Sequence, residues 1–563
     1  MLGRVAFLAA SAALVLAPAA VGQRSVLMPG VTYDREVTFT GHGPVVVHVL
    51  RAPRPTGLYA LKPTLSNEAI IGRERVTQMQ RRLLTTATVA GVNGDMFSWA
   101  EGRPSGMLML NTVLAAAPSP DRSSTGVGPD GSIVVGRVRM AGSWRGTGQR
   151  RPLVLNREPA PGGVALYTPL YGGATPARAE SVELTLQPFA PAQPNRDLTG
   201  VVVATKQGGG TPIPPGGAVL VGRGTAGAGR LATEAPLGST VVVRLTLTPD
   251  WSQLVDAVGG GPVLVREGRP VFRANEVFTI EQLVPRQPRS AVGQTADGRI
   301  LLVTVDGRRP GYSVGMTNFE LALTMARLGA VSASALDGGG SATMAFEGEL
   351  LNRPSDPGGE RAVAESLNIH YYGVHVSEPA EAVVSPNGDG VAERQTLAYK
   401  IVRPSTVMAK LVGPDGSEQV LDSGAKSTLG FYRFPWAGPG AEGSWRFVVN
   451  ATDDLGRSSS MERTFSLNNT LGGLRVATPS ITRRGSLRTS FTLTRPAQVR
   501  ARIATPAGAG VATLTQRSLQ AGAQTVAWRV RLRPGRYQVR VTAQNTVGTV
   551  TSSAPFSVRR TRR

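Results

Sequence analysis

Cysteine is absent from this chain of 563 residues, and histidine occurs only four times. Without cysteine the chain has no disulfide bonds, no thiol nucleophile and no cysteine-ligated zinc. The histidines, His42, His48, His370 and His375, are too few and too widely spaced to predict a metal site. We therefore expect no metal ion and no cofactor.

Long apolar runs are also missing, except at the N-terminus. Arg4 precedes the apolar run 5–16, and small residues at 17–19 and 20–22 offer two cleavage sites. This pattern predicts a signal peptide over residues 1–22, with a retained N-terminal anchor as the alternative. The later sequence has no run long enough to span a membrane. The chain is thus predicted to be exported: secreted and associated with the cell surface or cell wall.

Acidic residues disappear from the C-terminal segment. Residues 471–563 contain 17 Arg and no Lys, Asp or Glu, whereas the whole chain has a net charge of +23. Such an excess predicts a polyanionic partner, namely an anionic cell-surface polymer, and compositional drift is the alternative explanation. Nucleic acid is a poor candidate, because the Arg-rich strands lack clustered aromatic side chains for base stacking.

One strand–helix–strand unit stands out in the middle of the chain. An apolar strand over 299–305 ends at Asp306, a helix begins with the capping box Thr317–Glu320, and a second strand ends at Asp337. The two strands of such a unit are normally parallel, so their carboxyl ends meet at one sheet edge. We therefore expect Asp306 and Asp337 to line one cleft.

The second aspartate opens the sequence Asp337-Gly338-Gly339-Gly340-Ser341. Three consecutive glycines allow the backbone to approach a ligand closely and to direct amides at an anion. Taken alone, the sequence is equally consistent with a tight turn. The presence of two aspartates at neighbouring strand ends favours a binding site.

Glycine (68) and proline (41) are frequent, and the chain is long enough for several domains. Helical periodicity extends from Asn67 to Leu84, and residues 100–250 read as mainly β. From about residue 378 the pattern changes to short, regularly spaced strands, which predicts two β-sandwiches over 380–470 and 473–558. The last residues, 559–563, are predicted to be a disordered basic tail.

Several motifs together resemble the phosphodiester glycosidase family over roughly residues 30–373. They are VNGDMF (92–97), AVGGGPVLVREG (257–268), PRSAVGQTADGRILLVTVDGR (288–308), LDGGGSATM (336–344) and LNRPSD (351–356). The resemblance implies a hydrolase that releases a sugar from a sugar phosphodiester in an extracellular or cell-wall glycan. A further motif, SPNGDGV (385–391), resembles the immunoglobulin-like domain of flagellar hook-capping proteins. The predicted fold is an α+β catalytic domain over 24–375, followed by two all-β immunoglobulin-like sandwich modules.

The reaction implied by this resemblance needs a carboxylate near the anomeric carbon and cationic groups at the phosphate. Either Asp337 or Asp306 is the predicted catalytic carboxylate, as a base or as an electrostatic stabiliser. The residues predicted to bind the phosphorylated glycan are Asn93, Asp95, Arg289, Gly338, Gly339, Gly340, Ser341 and Arg353. A surface salt bridge is the alternative role for Arg289, and a turn is the alternative for Arg353. The alternative function is a non-catalytic surface protein that binds phosphorylated glycans.

Overall fold

The computed structural model describes residues 23–388, 390–438 and 440–560. The predicted signal peptide, Asp389 of the SPNGDGV motif and the last three residues of the predicted tail lie outside this range. The described chain forms two compact units, which comprise residues 23–81 with 89–370, and residues 82–88 with 371–560. The predicted domain boundaries stay predictions.

The strands are numbered in chain order. The N-terminal strands are β1 (Gln23–Met28), β2 (Val31–Thr40), β3 (Gly43–Ala52), β4 (Tyr59–Leu65), β5 (Thr88–Asn93), β6 (Leu108–Leu110), β7 (Val113–Ala116), β8 (Ser123–Val127), β9 (Ile133–Arg137), β10 (Arg139–Arg145), β11 (Arg151–Leu155), β12 (Val164–Tyr167), β13 (Ser181–Phe189), β14 (Asp197–Gln207), β15 (Ala218–Arg223) and β16 (Thr240–Thr248). The central strands are β17 (Asp256–Gly259), β18 (Val263–Arg266), β19 (Arg269–Pro270), β20 (Arg289–Thr295), β21 (Ile300–Val305), β22 (Ala330–Leu336), β23 (Met344–Phe346), β24 (Glu349–Leu350) and β25 (Glu365–Tyr371).

The C-terminal strands are β26 (His375–Val376), β27 (Val383–Val384), β28 (Gln395–Ile401), β29 (Ser405–Val412), β30 (Glu418–Lys426), β31 (Gly430–Trp436), β32 (Gly443–Asp453), β33 (Ser458–Leu467), β34 (Leu471–Val476), β35 (Ser480–Thr482), β36 (Ser486–Leu493), β37 (Ala497–Ala504), β38 (Gly510–Leu519), β39 (Gly522–Arg529), β40 (Gly535–Asn545) and β41 (Gly548–Arg559). The α-helices are α1 (Val76–Arg82), α2 (Gly224–Glu234), α3 (Ile280–Leu283) and α4 (Asn318–Arg327). Short 3₁₀ turns span Ser66–Glu68, Pro169–Tyr171 and Gly339–Ser341.

Helices are few and short, so the described chain is mostly strand and the α+β label for the N-terminal domain is not confirmed. The longest helix, α2, has 11 residues. The helical periodicity from Asn67 to Leu84 yields only α1, because Asn67 and Glu68 have φ angles of 50° and 59°. These left-handed conformations are incompatible with a continuing α-helix. Within the described ranges, no helix has the length and apolar character needed to cross a membrane.

An eight-stranded sheet carries the unit singled out in the sequence. Its strand order is β1-β2-β3-β21-β20-β22-β18-β19. Strand β20 lies between β21 and β22 and is antiparallel to both. Strands β21 and β22 are therefore parallel, as predicted, and their carboxyl ends share one sheet edge with the beginning of β20.

A closed seven-stranded barrel, β10-β11-β12-β15-β13-β14-β16, accounts for most of the β-rich region between residues 100 and 250. Burial alternates along strands such as β16, whereas β12 and β15 are almost wholly buried. The inward side chains form one core that includes Trp144, Leu184 and Leu220. Two five-stranded sheets complete this unit, with orders β7-β6-β17-β8-β9 and β24-β23-β5-β25-β4. The second of them presents the end of β5 and the beginning of β25 towards the site described below.

The C-terminal segment is all-β, as predicted. A three-stranded sheet (β26-β28-β31) and a five-stranded sheet (β27-β33-β32-β29-β30) share one core, to which Tyr399 and Phe447 contribute. A second pair of sheets, β34-β36-β39 and β35-β41-β40-β37-β38, shares another core, to which Phe491 and Val541 contribute. Burial alternates along strands such as β36, which is the pattern of sheets packed face to face.

The capping box at the start of α4 is confirmed, and it offers a test of local stability. The Thr317 hydroxyl accepts a hydrogen bond from the Glu320 amide (3.1 Å), and the Glu320 carboxylate accepts one from the Thr317 amide (2.9 Å). We expect Thr317→Ala to lower the free energy of unfolding by about 1 kcal/mol, because one amide of the first turn loses its acceptor. Thermal melting measures the change. Thr240→Ala, at an exposed strand position, is the control, and an equal loss in both variants would contradict the capping role.

Candidate active site

A cavity opens at the sheet edge where β21 and β22 end. Asp337 follows β22 directly, and the three glycines behind it form the wall on that side. The cavity is lined by Met96, Gly261, Pro262, Phe278, Glu281, Gln282, Gln287, Arg289, Arg308, Asn318, Leu336, Asp337, Gly338, Gly339, Gly340 and Arg361. Three arginines, one aspartate and one glutamate therefore line a single space, and the excess of arginine makes it suited to an anionic ligand.

A second cavity adjoins the first and differs in character. It is lined by Phe97, Trp99 and Arg122, among others, and shares Met96, Phe278, Gln282, Asp337 and Arg361 with the first. Trp99 is 62% exposed, so its ring is available to a ligand. Asp337 and Arg361 thus lie where an arginine-lined cavity meets an aromatic one.

The carboxyl group of Asp337 is electrostatically perturbed. Burial raises its pKa to about 6, and the nearby charge of Asp95 acts in the same direction. Hydrogen bonds from the Ser341 hydroxyl and the Gly338 amide (2.9 Å), together with the charge of Arg361, favour the ionised form and limit the rise. The carboxylate consequently titrates close to neutral pH, which is typical of groups that exchange protons during catalysis.

Two further carboxyl groups lie buried beside Asp337. Asp95 forms an ion pair with Arg122 (3.1 Å), yet burial raises its pKa. Glu365 begins β25 and accepts a hydrogen bond from the Asp95 amide (2.7 Å). Burial and the charges of Asp95 and Asp337 raise the pKa of Glu365 well above its ordinary value. Three carboxyl groups in one buried region repel each other as anions, so the proton affinities of the three are coupled.

The glycines of the turn allow close approach, as predicted, but the groups that approach are arginines. Gly339 has a φ angle of 61°, and a β-carbon at this position would lie 2.9 Å from a terminal nitrogen of Arg308. A β-carbon on Gly340 would lie 2.0 Å from Nη2 of Arg361. A side chain at Gly340 would therefore displace Arg361 from the cavity wall.

Arg361 is fixed from several directions. Its Nε and Nη2 donate to the two carboxylate oxygens of Asp356 (2.7 and 2.9 Å), and Nη1 donates to the Ser341 hydroxyl (3.3 Å). Its guanidinium lies 5.0 Å from the centre of the Trp99 ring. A bidentate ion pair and a cation–π contact hold the arginine in place, so its orientation is set before a ligand binds.

Arg289 lines the cavity as predicted, but its donors are occupied. The guanidinium donates to the carbonyl oxygens of Met316 (2.9 Å), Gln282 (2.7 Å) and Pro285 (2.8 Å). Burial lowers its pKa to about 10, and the neighbouring charge of Arg308 adds to the effect. Most donors of Arg289 therefore tie the segment that contains α3 to the loop before α4, and its role as a phosphate ligand stays a prediction.

Asp306 does not line the cavity, and the prediction that it faces the same cleft as Asp337 is wrong. Its carboxylate is 1% exposed and accepts hydrogen bonds from His48 Nε2 (2.9 Å), the Tyr312 hydroxyl (2.9 Å), the Asn352 amide group (3.0 Å) and the Arg353 backbone amide (3.0 Å). The shared sheet edge was predicted correctly. The side chain turns away because the β3 histidine and the 352–353 segment offer it these partners.

Three of the remaining predicted residues, Asn93, Ser341 and Asp95, contact the site from behind. Asn93 is buried, donates to the Asp337 carbonyl (2.8 Å) and accepts from the Ser290 hydroxyl (2.7 Å), so it holds β22 in position. Ser341 is also buried and contacts Asp337 and Arg361. Asp95 pairs with Arg122, and the guanidinium of Arg353 lies 4.6 Å from the centre of the Tyr312 ring. Arg353 also donates its backbone amide to Asp306, and neither Asp306 nor Tyr312 lines the cavities. The roles predicted for these four residues as direct substrate ligands stay predictions.

Arg308 and Arg361 line the cavity but were not predicted from the sequence. Arg308 follows Asp306 by two positions at the end of β21, so it too could have been predicted to lie at the shared sheet edge. Arg361 lies in an irregular segment between β24 and β25, where no periodicity places a side chain. In the described part of the chain, no group of three or more His, Asp or Glu side chains is arranged to hold a metal ion.

Comparisons with known proteins agree with this picture. Residues 195–370 match the phosphodiester glycosidase family model. This range of the chain includes α4, the three glycines and Arg361. The family resemblance drawn from the motifs is thus confirmed over residues 195–370, the segment that is similar to phosphodiester glycosidases. An uncharacterized SPbeta prophage-derived protein of Bacillus subtilis (strain 168), YomE, is 40% identical over 108 residues, which are 19% of this chain and 16% of its own length. The chain thus spans about a sixth of this curated relative.

Solved structures show further similarity. A hypothetical protein from Synechocystis is 25% identical with a TM-score of 0.53, and the match covers 63% of this chain and 64% of that one. The catalytic domain of zebrafish N-acetylglucosamine-1-phosphodiester alpha-N-acetylglucosaminidase, auto-inhibited by its pro-peptide, is 15% identical, covering 63% and 84% of the two chains. Its TM-score of 0.34 is too low to establish a common fold.

The raised pKa of Asp337 predicts a stability change with a defined sign. The folded protein binds the proton of the Asp337 carboxyl more tightly than the unfolded chain does. The free energy of unfolding therefore falls as pH rises from about 4 to about 6, and this contribution changes no further at higher pH. Asp337→Asn removes the buried charge. We expect its melting temperature to exceed that of the wild type near pH 8 and to equal it near pH 4. Glu281→Gln, on the same cavity wall but exposed, serves as the control. A variant less stable at both pH values would contradict the assignment.

Asp306 predicts the opposite behaviour. Although burial raises its pKa, hydrogen bonds and the charge of His48 outweigh this effect, and the pKa is lowered overall. Asp306→Asn should therefore lower the stability near pH 7 by about 3 kcal/mol, because buried donors lose an ionised acceptor. The deficit should shrink as pH falls through the ordinary aspartate range and below it. Denaturant unfolding at several pH values measures it, with exposed Asp297→Asn as the control. A deficit that does not depend on pH would count against an ionised Asp306.

Proposed function

We propose that this protein is a hydrolase that releases a sugar from a sugar phosphodiester, with Asp337 as its catalytic carboxylate. The observation that carries the proposal is the position of Asp337 at the junction of an arginine-lined and an aromatic-lined cavity. The match of residues 195–370 to the phosphodiester glycosidase family supports the same reaction class. A diester has one part on each side of the scissile bond, and two adjoining cavities suit such a substrate.

The phosphate group occupies the first cavity in this proposal. Arg361 and the exposed Arg308 bring two positive charges to the turn formed by Gly338–Gly340. Arginine forks bind phosphate oxygens in pairs, and backbone amides of a glycine turn add dipoles of the same sign. Arg289 acts as a positioning residue, since its donors hold the neighbouring segment.

The sugar occupies the second cavity. Phe97, Trp99 and Phe278 contribute apolar ring surface to its wall, and Arg122 and Ser105 contribute hydrogen-bond donors. Sugar rings offer apolar C–H faces and polar edges, so a wall of this mixed kind provides contacts for both. With the phosphate in one cavity and the sugar in the other, the anomeric carbon lies near Asp337.

The chemistry follows from the charges. The bond between the anomeric carbon and the phosphate oxygen breaks, and its electron pair leaves with the phosphate. Because the second pKa of a phosphate monoester is about 6, this leaving group needs little help from a general acid. Arg308 and Arg361 stabilise its growing charge, whereas ionised Asp337 stabilises the positive charge on the sugar and accepts the proton of the attacking water.

Location and natural substrate are part of the same proposal. The signal-peptide pattern supports export, and a phosphate-bearing glycan of the cell surface or cell wall is the proposed substrate. The acid-free C-terminal segment supports retention on an anionic surface polymer through long-range attraction. The alternative, a non-catalytic protein that binds phosphorylated glycans, predicts binding of the same ligands without release of sugar.

The test is release of sugar from a UDP-sugar or from a nitrophenyl phosphodiester of a sugar. We expect Asp337→Asn to reduce kcat by at least about a thousandfold with the fold intact, since a preorganised charge at the reacting carbon is lost. Glu281→Gln, a carboxylate of the same wall, should stay within about threefold of the wild type. Binding without any release by the wild type would favour the alternative function.

The pH profile provides a second readout. If the ionised form of Asp337 is the active one, kcat/KM should rise as pH increases through about 6 and then level off. The phosphodiester group of either substrate does not titrate in this range, so the rise reports on the enzyme. A fall in kcat/KM above that pH would instead make Asp337 a proton donor.

A further inference from the structure

Two arginines of the C-terminal β-sandwich lie directly opposite each other. Arg502 of β37 is the register partner of Arg540 of β40, in the middle of the five-stranded sheet. Their strand neighbours Ile503 and Val541 are buried in the sandwich core, so both arginines point to the outer face. Like charges at directly opposed positions destabilise a sheet. Because the Arg502–Arg540 pair does not stabilise the sheet, we look for its role in ligand binding.

Among the residues that the structure describes, neither arginine forms an ion pair with an acidic side chain. Residues 471–563 contain no Asp or Glu. Among the described residues of this segment, Arg495 is the arginine found in an ion pair, with Glu442; Arg502 and Arg540 are found in none. Nε of Arg540 is buried and has no hydrogen-bond partner in the described structure. The unpartnered Nε is costly, and the arginine opposite it in the register adds a like charge that a bound anion would offset.

The surrounding face is polar and carries more positive charge. Arg500 lies on the same face of β37, about 7 Å along the strand from Arg502, as the strand rise dictates. Its register partner on β40 is Thr542, and Ser553 of β41 is the partner of Arg540. Neither β37 nor the paired positions of β40 and β41 on this face carry an aromatic side chain. The face therefore lacks stacking platforms for nucleic-acid bases.

We propose that this face is a phosphate-binding site for a phosphodiester-linked glycan polymer, separate from the catalytic cleft. Arg502 and Arg540 hold one phosphate group between their guanidinium forks, which neutralises the repulsion between them. Arg500 contacts the next phosphate along the polymer. Arginine suits this role better than lysine, because its planar fork donates two parallel hydrogen bonds to one phosphate.

The proposal extends beyond the proposed hydrolysis, because the site binds and does not react. It also differs from a general electrostatic attraction, since it assigns affinity to particular residues. Removing Arg502 or Arg540 should cost more than removing another exposed arginine of the same segment. Arg517 of β38 is the matched control, because its register partner Val499 is buried on the core side of the sheet.

The experiment measures binding of the full chain to a poly(glycerol phosphate) oligomer, which carries no sugar phosphodiester to hydrolyse. We expect Arg502→Gln and Arg540→Gln each to weaken binding about tenfold or more, as the loss of charge-assisted hydrogen bonds implies. Arg517→Gln should weaken it about twofold at most. Binding of the wild type should also weaken as salt rises. Equal losses for all three variants would overturn the proposal in favour of a diffuse field.

Thermal melting separates binding from folding. Because the two arginines repel each other, Arg540→Gln and Arg502→Gln should melt at the same temperature as the wild type or higher. The oligomer should raise the melting temperature of the wild type more than that of either variant. A lower melting temperature in both variants would assign the pair a structural role. Tighter binding of a single-stranded DNA oligonucleotide, lost in the same variants, would overturn the glycan assignment.

Discussion

The site depends on the position of β20 between β21 and β22. Because β20 is antiparallel to both, the ends of β21 and β22 and the beginning of β20 meet at one edge of the sheet. Arg308, Asp337 and Arg289 reach the cavity from these three chain ends. The Asn93 side chain then fixes β22 from the neighbouring sheet through the carbonyl of Asp337. Any shift in this pairing would separate the carboxylate from the arginines that surround it.

Local sequence patterns predicted the parts of this arrangement that local chemistry decides. The capping box of Thr317 and Glu320, the strand before Asp337 and the parallel relation of β21 to β22 follow from residue types and short spacings. They could be read correctly because capping hydrogen bonds and strand connections involve neighbours in sequence. The all-β character of the C-terminal segment could be predicted for the same reason, because apolar and polar residues alternate with a period of two along a strand.

The direction of individual side chains could not be predicted from local sequence patterns. Asp306 ends its strand as predicted, yet it turns to His48 and Asn352, which are distant in sequence. Arg289 lines the cavity, but its guanidinium donates hydrogen bonds to backbone carbonyls of the segment that contains α3. Arg361 is held in the cavity wall by its ion pair with Asp356 and its cation–π contact with Trp99. In each case the outcome depends on long-range packing, which no local pattern encodes.

The contrast between the two charged regions has a further consequence. Burial raises the pKa of Asp337 to about 6, so mild acid changes the charge of this carboxyl group. The C-terminal segment contains only arginines as charged groups, and these stay protonated at any pH at which proteins remain folded. Acidification would thus protonate the proposed catalytic carboxyl group without changing the charge of the C-terminal segment. A rise in ionic strength would instead weaken the proposed attachment to a polyanion. In the proposed function, hydrolysis and attachment therefore respond to different changes in the surroundings.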